Sequence, residues 1–354
     1  MTSAHSLEQL LLERIATTGP LRYSEYIAEA LYNPTFGFYS VAGRAGRRGD
    51  FLTSPEVGPL FGACIARYLD EVWSELGEPS PFVVVEAGAG PGTLARGVLA
   101  AAPLCLEAME YVAVEVSAAQ RADHPDGVLS VEELPGGPVH VVIANELLDN
   151  LPFDLVTYTG DGWCSVLVGA VDGELVEVTR PMAAVPNHLP ADIREGGRIP
   201  VIDAAVQWCR DAIELVESGR VLLFDYSSGG SEIIVNDASA NASDAAIRTY
   251  RGNQRGDHPL ADPGSQDITA QIPDEQLAVV APRALQQTSQ AEFLRAYGIE
   301  ELVDEGRRLW KERAHLGDLR AMQARSRIAE SEALLDPSGL GGFSVFEWRL
   351  PELG

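Results

Sequence analysis

Positive charge is scarce in this chain. Its 26 lysines and arginines face 52 aspartates and glutamates, for a formal net charge of −26, and Lys311 is the only lysine. An acidic surface repels phosphate, so nucleic acid is not an expected partner; solubility or a basic partner suits the charge better. Cysteine is sparse too. Cys64, Cys105, Cys164 and Cys209 lie far apart with no C-x-x-C pair, which reads as reduced or buried thiols. The six histidines form no H-x-x-x-H pair, so no protein-bound metal is expected. No apolar run reaches the roughly 18 residues a membrane span requires. Residues 1–15 carry Glu8 and Glu13 and lack the basic-then-apolar design of a signal peptide or the acid-poor design of a transit peptide. The expectation is a cytoplasmic protein with no membrane partner.

What is present is globular. The chain has 354 residues, 46% hydrophobic and 22% charged, enough for one large core with insertions or for two domains. The most informative stretch is Phe82-Val83-Val84-Val85-Glu86-Ala87-Gly88-Ala89-Gly90-Pro91-Gly92-Thr93. A short apolar run reads as a buried parallel strand, and Thr93 to Ala101 can carry a helix that Pro103 ends. Glycines between strand and helix let the backbone take positive φ and lie against a ligand at the strand's carboxyl end. The spacing fails the dinucleotide pattern G-x-G-x-x-G, because position 93 is Thr, and no lysine is near to make a phosphate loop. The remaining pattern, E-x-G-x-G-x-G, resembles motif I of the class I S-adenosylmethionine (SAM)-dependent methyltransferases; a plain tight turn is the alternative. Glu110 to Val114 reads as the next strand, with Glu115 at its tip, where an acid can accept from both ribose hydroxyls of a nucleoside. Nicotinamide and SAM sites share that device, and a solvated carboxylate is the plain alternative.

The N-terminal 80 residues precede the first core strand and read as a helical or lid region. Ser6 to Thr18 reads as a capped amphipathic helix, Tyr23 to Leu31 as a second, Gly43 to Gly49 as a mobile loop, and Gly58 to Leu76 as a long helix. Gly19-Pro20-Leu21-Arg22-Tyr23, Ala30-Leu31-Tyr32-Asn33-Pro34, Gly37-Phe38-Tyr39-Ser40 and Gly49-Asp50-Phe51-Leu52-Thr53-Ser54-Pro55-Glu56 resemble the opening blocks of the MidA-like methyltransferases, relatives of the mitochondrial complex I assembly arginine methyltransferase. Motif I, Glu115-Val116-Ser117, Asn145-Glu146-Leu147-Leu148-Asp149-Asn150-Leu151-Pro152 and Pro263-Gly264-Ser265-Gln266-Asp267-Ile268-Thr269-Ala270 follow in the family's order, with Asn150 where Ala is usual and Gln271 where His is usual. The resemblance implies an α/β fold: a class I, Rossmann-like seven-stranded sheet in the order 3-2-1-4-5-7-6. Insertions follow strands 4 and 5, and residues 81–354 form the SAM-dependent methyltransferase domain. It implies SAM as cofactor, bound by Glu86, Gly88, Gly90, Gly92, Thr93, Glu115, Asn145 and Asp50.

The strand ending at Ala144 delivers Asn145, Glu146 and Asp149 to the sheet's ligand-binding edge. SAM already carries an activated methyl, so the protein has mainly to align a nucleophile. Arginine is always protonated, and carboxylates that hold its guanidinium by paired hydrogen bonds can orient one nitrogen and help its proton leave. Glu146 and Asp149 have the spacing of one helical face and are the expected substrate-holding pair, with Asn145 as an amide ligand of SAM or substrate. Asp149 as a simple helix cap is the plainer reading. His258 as a base competes with a hydrogen-bonded loop histidine.

Residues 153–219 read as an insertion that opens with an antiparallel meander around Gly160-Asp161-Gly162 and Asp172-Gly173. Gly219 to Asp225 reads as strand 5, residues 228–246 as a variable loop, Leu277 to Ala281 as a strand, Gln287 onward as a helix capped by Thr288 or Ser289, and Phe343 to Trp348 as the last strand. The expected function is a SAM-dependent methyltransferase that acts on an arginine of a protein partner. An assembly chaperone with SAM as a structural ligand and a small-molecule methyltransferase are the competing readings, since one fold serves many acceptors. The oligomeric state is open.

Overall fold

The computed structural model describes residues 6–40, 53–190, 193–227, 229–231, 246–252 and 254–351. Asp50, the 43–49 loop and most of the 228–246 loop lie outside the described residues. The chain divides into two interleaved units. One comprises residues 52–146, 211–225 and 281–354, and the other residues 1–51, 147–210 and 226–280.

The first unit is built on a seven-stranded sheet. Its strands are β1 Phe82–Ala87, β2 Met109–Val114, β3 Leu129–Val131, β4 Val141–Asn145, β5 Gly219–Asp225, β6 Leu285–Ser289 and β7 Ser344–Leu350. Their order is β3-β2-β1-β4-β5-β7-β6. The first five strands run parallel, and β7 is antiparallel to both its neighbours. This is the expected class I arrangement. Parallel strands are covered on both faces, so β1, β4 and β5 read as unbroken apolar runs. The helices α1 Pro59–Glu75, α2 Thr93–Ala101, α3 Gln290–Ala296, α4 Ile299–Arg313 and α5 Leu319–Leu335 belong to the same unit.

Helix α1 is amphipathic, with Phe61, Ile65, Tyr68, Leu69 and Val72 recurring at helical spacing and fully buried. Phe61 and Phe293 each meet Phe224 of β5 edge-on, at centroid distances of 5.2 and 5.1 Å. Burial of each such ring contributes roughly 1.5–3 kcal/mol. A Cβ at Gly62 would stand 2.7 Å from the Gly97 Cα, so α1 and α2 approach at a distance only glycine permits. The amino end of α1 is capped by a buried carboxylate from α5: Leu60 N–H donates to Glu330 Oε2 at 3.1 Å.

Two expectations fail here. Strand β6 lies where the sequence predicts the start of a helix, because Gln286 to Ser289 is a polar edge strand with no apolar alternation. The cap expectation itself holds. Ser289 ends β6 and caps α3, and its hydroxyl and N–H pair with the Glu292 N–H and carboxylate at 3.2 and 3.0 Å. The strand expected at 277–281 is absent; helix Asp274–Leu277 ends there instead, followed by turns.

The second unit holds the helices Leu7–Thr18 and Tyr23–Tyr32 and a five-stranded antiparallel sheet. The expected meander is its centre: Asp154–Thr159, Gly162–Val171 and Glu174–Pro181 pair in succession. Asp172 and Gly173 both take positive φ, 52° and 84°, as a tight two-residue turn between right-twisted strands demands. Strands Arg198–Val201 and Leu21–Arg22 complete the sheet. A separate three-stranded sheet pairs Ile247–Arg251 with Gln254–Arg255 and with Asp267–Ala270.

Candidate active site

In the first unit, β1 ends at Ala87, and Gly88, Gly90 and Gly92 follow with φ of 67°, 53° and 78°. Side chains rarely adopt that region, and a Cβ at Gly92 would stand 2.9 Å from the Pro125 ring. Thr93 then opens α2. The turn is held from all sides. The Gly90 N–H donates to Glu115 Oε2 at 3.0 Å, its carbonyl lies 2.8 Å from His124 Nε2, and Arg96 donates to the carbonyls of Pro91 (2.6 Å) and Asp123 (2.8 Å). Ser117 N–H donates to Glu115 Oε1 at 2.7 Å. Each carboxylate oxygen keeps a second acceptor site, so Glu115 can hold ribose hydroxyls while it pins the turn. Val116 beside it is an apolar side chain, 58% exposed.

Glu86 lies beneath the turn. Tyr111 donates to its Oε2 at 2.8 Å, and burial pushes the carboxyl up to about 7, against the opposing effect of Tyr111. Asn145 closes β4 opposite Phe224 of β5; its Nδ2 donates to Glu146 Oε1 at 3.0 Å, and its Oδ1 is buried without a partner. Such an orphaned acceptor is a place for a ligand donor. The glycine cradle, the doubly anchored Glu115 and the Asn145 oxygen fit SAM. When bound, SAM supplies a methyl group on a sulfonium.

Glu146 does not start a helical turn. Its N–H still bonds the Phe224 carbonyl at 2.8 Å, and its φ is 52°, a rare value for a residue with a side chain. The shared helical face expected for Glu146 and Asp149 is therefore absent. Burial pushes the Glu146 carboxyl up to about 8; Asp225 and Glu56 add to the rise, and Asn145 and the Ser54 backbone oppose it. Glu56 is itself raised by burial.

Asp149 lies in the second unit, within the single turn Leu148–Asn150, 2% exposed. Around it are residues the sequence reading named only as parts of motifs. Tyr39 and Asn150 both donate to Asp267 Oδ1 at 3.0 Å, Tyr32 donates to the Asn150 carbonyl at 3.1 Å, and the Tyr32 and Tyr39 rings stack at 5.5 Å. Burial, then Asp267, Tyr32 and Asp149, push the Tyr39 hydroxyl well up. His258 is a loop histidine whose Nδ1 accepts from Leu260 N–H at 3.2 Å. No helix among the described residues is long and apolar enough to cross a membrane.

Comparison with known proteins bears on the family and the fold. Residues 64–292 match the model of a family described as S-adenosyl-L-methionine-dependent methyltransferases. The chain is 28% identical over 314 residues to the mitochondrial NDUFAF7-homologue protein arginine methyltransferase of Drosophila melanogaster, covering 75% of this chain and 68% of that one. It is 26% identical over 338 residues to the mitochondrial protein arginine methyltransferase NDUFAF7 of Homo sapiens, covering 82% and 73%. A crystal structure from Burkholderia thailandensis bound to S-adenosyl-homocysteine (SAH) superposes with a TM-score of 0.85 at 28% identity, covering 98% of this chain and 92% of that one. The cytoplasmic expectation is corrected by these relatives, which are named as mitochondrial proteins; composition and apolar runs carry no address of that kind. The matched family model, the seven-stranded order and the glycine turn agree: the chain belongs to this family of SAM-dependent methyltransferases.

Proposed function

We propose that this SAM-dependent methyltransferase transfers its methyl group to an arginine of a protein partner, with Glu146 as the residue that receives the guanidinium. The observation that carries the reading is the state of Glu146. Its carboxyl sits beside Asp225 and Glu56, and burial and those acids push it up to about 8. Near pH 7 it is mostly protonated in the free protein. A guanidinium is the complementary cation: it favours the carboxylate and pairs with it through two hydrogen bonds, which sets a base next to the nitrogen that must lose a proton. Glu146 then orients the nitrogen and accepts its proton, while the Asn145 amide holds the Glu146 carboxylate in place. Asn145 completes the proposed acceptor-binding set. The names of the animal relatives support arginine as the acceptor.

The test is transfer of radiolabelled methyl from SAM to proteins of the source organism's own extract, with hydrolysis and identification of methylated amino acids. Methylarginine from the wild type, and none from Glu146→Gln, is expected. Methylation of another side chain, or of small molecules alone, would overturn the arginine assignment.

A further inference from the structure

The second unit contains a small pocket lined by Tyr226, Arg248, Tyr250, Thr269, Ala270 and Gln271. Arg248 and Thr269 lie directly across from each other on adjacent antiparallel strands, and Tyr250 shares the strand face of Arg248. Arg248 is half-buried and makes no ion pair among the described residues, although acids outnumber bases two to one in this chain. Arg251 on the same strand pairs with Asp262. The acid closest in the strand register is Asp267, opposite Tyr250, and its Oδ1 already accepts from Tyr39, Asn150 and the Ile268 N–H. A partly desolvated guanidinium without a counter-ion is costly unless a ligand provides one.

We infer that this pocket binds a carboxylate. The guanidinium matches a carboxylate's two oxygens in plane, and the Thr269 hydroxyl offers a further hydrogen bond. One fixed positive charge suits a monoanion; a dianionic phosphate would retain excess charge inside a strongly acidic protein. Two sources share the chemistry: an acidic side chain of the protein partner, a source that rests on the acceptor reading above, or a free small carboxylate.

The test is NMR or calorimetric titration of the full chain with capped glutamate, its glutamine counterpart, acetate, inorganic phosphate and SAH. It compares the wild type with Arg248→Gln and Thr269→Val. Capped glutamate is expected to bind, glutamine not, with affinity at least tenfold weaker in Arg248→Gln and a smaller loss in Thr269→Val. The melting temperature of Arg248→Gln should hold or rise, since no ion pair is lost. Capped glutamate tighter than acetate identifies the peptide source; equal binding identifies the free one. Unchanged glutamate binding in Arg248→Gln, preferential binding of phosphate, or a tenfold loss of SAH affinity would overturn the inference. Because no methyl transfer is read, failure here is separable from failure of the arginine assignment.

Discussion

The glycine turn after β1 and the segment that begins at Glu146 both follow the tips of parallel strands, yet they are built in opposite ways. Around Gly90 the backbone groups are paired: the N–H with Glu115, and the carbonyl with His124. At Glu146 a side chain is held at φ 52°, and a carboxyl is pushed up to about 8 beside two other acids. The first is a turn whose backbone is already fixed, as the proposed site for a cofactor of constant shape allows. The second carries strain and charge conflict that a cation would relieve, as expected where binding and chemistry are coupled.

The sharpest break of that contrast is Gly92→Val. The strained φ and the clash with Pro125 should abolish calorimetric SAH binding, a loss of at least about 100-fold, or roughly 3 kcal/mol. Glu146→Gln should do the reverse, leaving the SAH affinity within about twofold while methyl transfer falls on the order of 100-fold. If both variants lose cofactor binding alike, the two regions are not separate in function.

Glu146 also sets a pH dependence. Its folded value lies above the ordinary carboxylate value of 4.5, so the folded state holds a proton that the unfolded state has released, and stability falls as pH rises from about 4.5 to about 8. Glu146→Gln should therefore be more stable than the wild type at pH 8, by roughly 1–3 kcal/mol, and show no such gain below pH 4.5 in urea melts. Glu115→Ala removes the acceptor of two backbone N–H groups; SAH affinity should drop roughly tenfold or more and stability by about 1–3 kcal/mol. The smallest effect is expected for Tyr39→Phe, about 1 kcal/mol from the lost bond to Asp267, with Asp267→Asn giving a non-additive double mutant.

Legibility followed the same division. The positive-φ turn at Gly88, Gly90 and Gly92 and the strand-tip position of Glu115 were readable because they depend on local backbone geometry. Asp267 and Tyr39 were visible only inside motif blocks; what joins them is a hydrogen bond across more than two hundred residues. β6 was missed because an exposed edge strand needs no apolar alternation.

The amino-acid sequence by itself determined the parallel strands, the glycine turn and the acids at the strand tips, since apolar runs and glycine spacing act over a few residues. The tertiary structure alone decided that the chain crosses between two units just after Glu146, that Glu146 takes a left-handed conformation, and that Asp225 and Glu56 face it. Each of these depends on long-range pairing and on loss of water around charge, and neither is encoded by a neighbouring residue.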